Sequence, residues 1–184
     1  MAEHNLFESL LSLHSSSAVV PAENFLTEVF AHFLRTDPAC RDAWLSLVLA
    51  RPFVGHLTQL STRQGDTGSQ SNGTLFPDMT ISGTSAATGD FTLIAEHKWA
   101  SPCSADQLRK YLEIAKRKQA RLVFVAPTER QLRDAAACLP GGRADCFGWW
   151  QVYTAFKAIP QKSPMLETFL EFMVGRGLSP IAPI

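Results

Sequence analysis

Long apolar runs are missing from this 184-residue chain. Stretches such as Leu45-Ser46-Leu47-Val48-Leu49-Ala50 fall far short of the ~18 residues that suggest a membrane span. No positively charged segment precedes an apolar stretch at Met1-Ala2-Glu3-His4-Asn5, so the start does not read as a secretory signal. The four cysteines, Cys40, Cys103, Cys138 and Cys146, contain no Cys-x-x-Cys pair, which argues against a zinc site or a disulfide framework and for reduced thiols in the cytoplasm. Excess charge of either sign is also absent, with 17 Lys plus Arg against 17 Asp plus Glu. A histone-like or tail-driven polyanion binder is thereby excluded, although a local basic surface is not. There is no G-x-x-x-x-G-K-[ST] and no G-x-G-x-x-G after a strand, so the glycine loops that cradle nucleotide phosphates are lacking.

What is present suits one globular domain. Hydrophobic residues make up 46% of the chain, enough to build a core and to argue against wholesale disorder. A short amphipathic helix is expected over 5–13, followed by a serine-rich linker. Pro21 opens the strongest helical pattern, with Phe25, Leu26, Val29, Phe30, Phe33 and Leu34 on one stripe, and Asp37-Pro38 stops it. A second helix is expected over 39–50, with Trp44, Leu45, Val48 and Leu49 inward. Three strands follow, over 56–64, 75–82 and 90–99, separated by a Gly/Ser-rich loop at 65–73 and a turn at 83–89. Short connections suggest an antiparallel meander.

The pattern then alternates. A helix is expected over 106–119, and Arg121 to Ala126 is a continuous apolar run, as a buried parallel strand should be. Thr128 is an N-cap candidate for a helix over 128–138, ended by Pro140-Gly141-Gly142. A short strand over 146–149 and helices over 150–159 and 165–174 complete the chain. The class is α/β, with one domain over 1–176 and a tail or linker over 177–184.

The chemistry concentrates between Pro77-Asp78 and Glu96-His97-Lys98. Alternate side chains of a strand share a face, so Glu96 and Lys98 point one way and His97 the other. If the two strands pair as a hairpin, Asp78 comes beside Glu96. Two close carboxylates repel unless a cation intervenes, and hard oxygen ligands suit Mg²⁺ or Mn²⁺. The plainer reading of Glu96 and Lys98 is an ordinary surface ion pair.

Pro77-Asp78 followed eighteen positions later by Glu96-x-Lys98 resembles the signature of the PD-(D/E)XK nuclease superfamily. The expected order of helix, three-stranded meander, helix and parallel strand is similar to the restriction-endonuclease-like core of that family. Gln107 and Tyr111, four apart on the following helix, resemble its Gln-x-x-x-Tyr. The resemblance spans roughly 21–126. It implies a Mg²⁺- or Mn²⁺-dependent nuclease, with DNA the first substrate expected and a bacterial or phage setting. Metal would be held by Asp78, Glu96, the His97 backbone carbonyl and an acid of the first long helix. Lys98 would act on the attacking water, and Gln107 and Tyr111 would orient the lysine or the phosphate. The helix acid is Glu23 or Glu28; Glu28 flanks the apolar stripe and is preferred. A homodimer and a catalytically silent binding or assembly module fit the same resemblance, and the tail or linker over 177–184 is the ground for expecting a further domain.

Positive charge is uneven. Between Glu96 and Arg121 there are seven lysines and arginines against three acids. Arg109, Lys110, Lys116 and Arg117 are therefore the candidate phosphate contacts, weighed against a plain solvated helix face. Trp149, Trp150 and Tyr153 are expected to fill the core over the sheet, with base stacking by one of them as the rarer alternative.

Overall fold

The computed structural model describes residues 5–7, 10–11, 22–62, 77–99 and 104–180. Among them the chain forms α1 (Ala22–Thr36), α2 (Pro38–Leu49), β1 (Gly55–Thr62), β2 (Met79–Ser85), β3 (Gly89–His97), α3 (Ala105–Arg117), β4 (Arg121–Ala126) and α4 (Glu129–Ala136). A 3-10 turn (Gly142–Asp145), β5 (Cys146–Gly148), α5 (Trp149–Lys157) and α6 (Pro164–Gly175) follow. The class is α/β. The five strands form one mixed sheet in the order β1-β2-β3-β4-β5, antiparallel through β3 and parallel from β3 to β5.

Local chemistry sets the element ends. Pro38 disfavours a helical conformation at Asp37, so α1 stops at Thr36 and Asp37 is extended, with φ −118°. Its carboxylate then caps α2 by accepting from the Ala39 and Cys40 amides at 2.9 and 3.2 Å. Thr128 caps α4 through the Gln131 amide, as the sequence predicts.

A large core lies on the face covered by α1, α2, α5 and α6, and a smaller one on the face covered by α3 and α4. Phe30 is central to the first. It meets Trp44 and Trp149 edge-on and stacks on Phe156. Each such aromatic pair contributes about 0.5–1.5 kcal/mol beyond area burial. Across the meander, Leu60–Ile81–Leu93 and Thr62–Met79–Ala95 face this core, while Gln59–Ser82–Thr92 and Ser61–Thr80–Ile94 face the other way. Arg121 ties the sheet to α2, bonding Asp145 at 2.6 Å and the Val48 carbonyl at 2.7 Å.

Several expected boundaries move. β2 runs on through Gly83, Thr84 and Ser85, which pair with β1, and only 86–88 turn. Gly83 serves close approach here: a Cβ there would lie 2.4 Å from the His56 carbonyl oxygen. Gly89, at φ +69°, is where the chain needs glycine's freedom. β3 ends at His97, two residues early, and Trp149 begins α5 because the Gln151 side chain accepts the Gly148 amide at 2.8 Å. The expected tail is docked as far as Pro180. Leu178 is buried and its amide bonds the Met173 carbonyl at 2.9 Å.

Parts of the first expected helix, Pro21, the 65–73 loop, Cys103 and residues 181–184 lie outside the described residues. No helix among the described residues is long and apolar enough to cross a membrane.

Candidate active site

Pairing of Met79 with Ala95 carries the register back to Asp78 beside the end of β3. Asp78 is buried, and its Oδ2 accepts the His97 amide at 2.8 Å. Glu96 is 1% exposed and points to the α3 side, where Gln107 Nε2 donates to its Oε1 at 2.9 Å. The same Gln107 nitrogen reaches the Tyr111 hydroxyl at 3.3 Å. Ser104 starts α3 by accepting the Gln107 amide, and Leu108, Tyr111 and Ala115 anchor the helix to the sheet. The i, i+4 spacing therefore delivers Gln107 and Tyr111 together.

Lys98 follows the strand and is fixed through its backbone. Its amide donates to the Val125 carbonyl and its carbonyl accepts from Trp149 Nε1, both at 2.8 Å. The ammonium consequently sits 2.7 Å from Glu96 Oε1. Both side chains are almost wholly buried, so the pair is no surface ion pair.

The first long helix contributes Glu23. Glu23 Oε1 accepts the Trp99 amide at 3.0 Å, and Oε2 lies 4.0 Å from the Lys98 ammonium. One turn on, Thr27 Oγ1 and His97 Nδ1 are 2.9 Å apart. Glu23, Thr27 and Phe30 share the face turned to the sheet. The expectation that Glu28 joins the site is corrected: at ~100° per residue it points about 140° away from Glu23. Glu28 has no contact with the cluster among the described residues.

His97 is a packed histidine, as expected. Burial, then the Lys98 charge, push its pKa down to about 3, so the ring is neutral against Phe30 and Trp149. Glu96 behaves oppositely. Burial and then Asp78 raise its pKa, and the opposing pull of Lys98 does not cancel them. Burial would lower Lys98, yet Glu96, Glu23 and Asp78 outweigh it and hold the ammonium charged.

Among the described residues, no group of three or more His, Cys, Asp or Glu side chains is arranged to hold a metal ion. The donors nonetheless suit a hard cation. Glu96 Oε2 is buried without a hydrogen bond among the described residues, while Asp78 repels the carboxylate's charge and the nearby Tyr111 hydroxyl favours it. Magnesium commonly takes only one or two carboxylates and keeps several waters. Asp78 and Glu96 would supply that number, with the His97 carbonyl on the same strand end.

The basic helix face is less available than its composition suggests. Arg109, Lys110, Lys116 and Arg117 are all exposed. However, Lys110 pairs with Asp106 at 3.0 Å and Lys116 with Glu113 at 3.1 Å. Two roles escaped the sequence reading. Thr27 holds His97, and Trp149, expected only as core, holds the Lys98 carbonyl. A signal existed for Thr27, a polar residue midway between Glu23 and Phe30 on one helical face.

Compared with protein-family models, characterised proteins and solved structures, the chain matches none of them.

Proposed function

We propose that this chain is a metal-dependent nuclease of restriction-endonuclease-like architecture, hydrolysing phosphodiester bonds, DNA first. The observation that carries the reading is the buried Asp78–Glu96–Lys98 cluster with its open Glu96 oxygen. An ammonium and two carboxylates are costly to gather away from water, at several kcal/mol per ion, and a structural role would be served as well by apolar packing. The observed order of helix, meander, helix and parallel strand supports the same architecture.

Each residue then has a chemical task. Mg²⁺ or Mn²⁺ at Asp78 and Glu96 would supply Lewis-acid polarisation of the phosphoryl oxygen. Lys98 orients the attacking water and offsets negative charge as it builds on the phosphate. Gln107 fixes the Glu96 carboxylate, and Tyr111 fixes Gln107. Glu23 keeps Lys98 charged and aligned from the helix side.

Incubation of the purified chain with labelled single- and double-stranded DNA and RNA, with and without Mn²⁺, tests the reading. Mn²⁺-dependent cleavage abolished by Asp78→Ala is the expected result, and no cleavage of any substrate would overturn it. The silent-module alternative is favoured by one observation, the lack of a three-ligand cluster among the described residues. Absence of any Mn²⁺ or Mg²⁺ binding heat, with nucleic acid still bound, would establish it.

A further inference from the structure

The carboxyl ends of β3, β4 and β5 form one continuous edge, and the acid–lysine cluster uses only its β3 portion. Beyond the ends of the next two strands lies a crevice of about 550 Å³. It is lined by Pro127 after β4, Glu129 at the start of α4, Trp150 after β5, and Gly177, Ser179 and Pro180 after α6. Its size falls within the ~300–1,000 Å³ of small-molecule sites.

Trp150 differs from its neighbour. Trp149 packs beside His97, whereas Trp150 packs with the core that includes Tyr111, on the Glu96 side of the sheet. Its indole lies flat over Gly148, where a Cβ would come within 2.3 Å of the ring. The Gly148 amide is itself held by Gln151, so the half-buried ring is fixed before any ligand arrives. Beside it the lining includes Pro127, Pro180, Ser179 and Glu129, whose carboxylate pairs with Arg143 at 3.1 Å.

An unpaired nucleobase has matching surfaces: an apolar face that stacks on aromatics and a polar edge that donates to carboxylates and hydroxyls. In a duplex both faces are covered by stacking. We infer that this crevice takes an unpaired base of the strand whose phosphate meets Glu96 and Lys98, with Trp150 as the stacking platform. The inference rests on the nuclease reading and narrows its substrate to single-stranded or locally opened nucleic acid.

The test is binding of a fluorescent single-stranded oligonucleotide, its duplex and an abasic strand in EDTA, alongside Mn²⁺-dependent cleavage by the wild type. The wild type should favour the single strand over both others. Trp150→Ala should weaken single-strand binding about tenfold, the scale of one stacking interaction, and leave duplex binding nearly unchanged. Trp150→Phe should restore most of it. Ser179→Leu narrows the crevice without disturbing the indole over Gly148, and should lower single-strand affinity in a chain of normal melting temperature. Wild-type single-strand affinity in both Trp150→Ala and Ser179→Leu would overturn the base site, while cleavage by the wild type would leave the nuclease reading standing. Trp150-dependent binding without cleavage would do the reverse. A wild type that neither binds nor cleaves would overturn both.

Discussion

Glu96 and His97 are consecutive residues, yet the two faces of β3 treat them in opposite ways. On the α1 side, His97 is neutral, bonded to Thr27 and enclosed by Phe30 and Trp149. On the α3 side, Glu96 is equally buried but meets an ammonium, an amide and a second carboxylate. Burial is therefore not what separates structure from chemistry here. The His97 face removes charge by holding one proton state. The Glu96 face gathers charge; each face leaves one buried atom unpartnered among the described residues, His97 Nε2 and Glu96 Oε2, and the carboxylate oxygen is the costlier of the two unless something else uses it.

The largest expected effect lies on the charged face. Lys98→Ala should keep the fold and most Mn²⁺ affinity while cleavage falls by about 10² or more, the usual cost of one transition-state donor. Asp78→Ala should lose Mn²⁺ binding heat and cleavage together. Full cleavage by purified Lys98→Ala would make the two faces alike, both structural.

On the neutral face, effects should appear in stability. Trp149→Phe leaves the Lys98 carbonyl buried without its donor, a loss of about 1–3 kcal/mol measurable by urea unfolding. Mn²⁺ affinity should change far less than in Asp78→Ala. If both fall together, the faces are coupled through the Lys98 backbone.

The two faces should also shift stability with pH in opposite directions, over overlapping ranges. His97 binds a proton more readily when unfolded, so its contribution is lost as pH falls from about 6.5 toward 3. Glu96 binds a proton more readily when folded, so its contribution is lost as pH rises above the ordinary carboxylate range. Between about pH 4.5 and 6.5 the two slopes oppose each other, so melting of the metal-free wild type should change little there on account of this pair. Glu96→Gln should remove the Glu96 slope alone, so that stability rises more steeply with pH between about 4.5 and 6.5, and saturating Mg²⁺ should stabilise the wild type by mass action. A pH profile unchanged in Glu96→Gln would refute the assignment.

The smallest effect is expected from the outer surface of α3. Lys110→Ala with Lys116→Ala should leave melting nearly unchanged, because both pairs are exposed. The slope of log affinity for DNA against log salt should shrink by about one for each phosphate these lysines no longer neutralise. An unchanged slope would remove this surface from the interface.

Legibility in the sequence followed the same division. Asp78, Glu96 and Lys98 are readable because strand alternation is a local rule, Gln107 and Tyr111 because their spacing resembles a family motif, and the structure brings all five together. β4 is readable as a buried parallel strand from its continuous apolar run. Glu23 was passed over for Glu28 because an apolar stripe gives only the average direction of a helix. The buried arc of α1 is extended by Thr27 and Ala31, small residues whose burial depends on the sheet beneath them. Gly83 misled as a turn signal because a glycine selected for close strand approach looks identical in sequence. The partners of the Lys98 backbone, Val125 and Trp149, are set by parallel pairing and by entry into α5, neither of which a local pattern encodes.

That backbone anchorage bears on how the site would be lost. Lys98 is tied at its amide to β4 and at its carbonyl to the first residue of α5, both within buried core elements. Breaking the first parts β3 from β4, and breaking the second lifts α5 from the sheet. Its amide proton should accordingly exchange with solvent only in the global opening of the domain, alongside the central strands. With the Lys98 backbone so fastened, the ammonium should keep its place until the fold itself opens, so loss of cleavage by heat and unfolding by heat should follow a single curve.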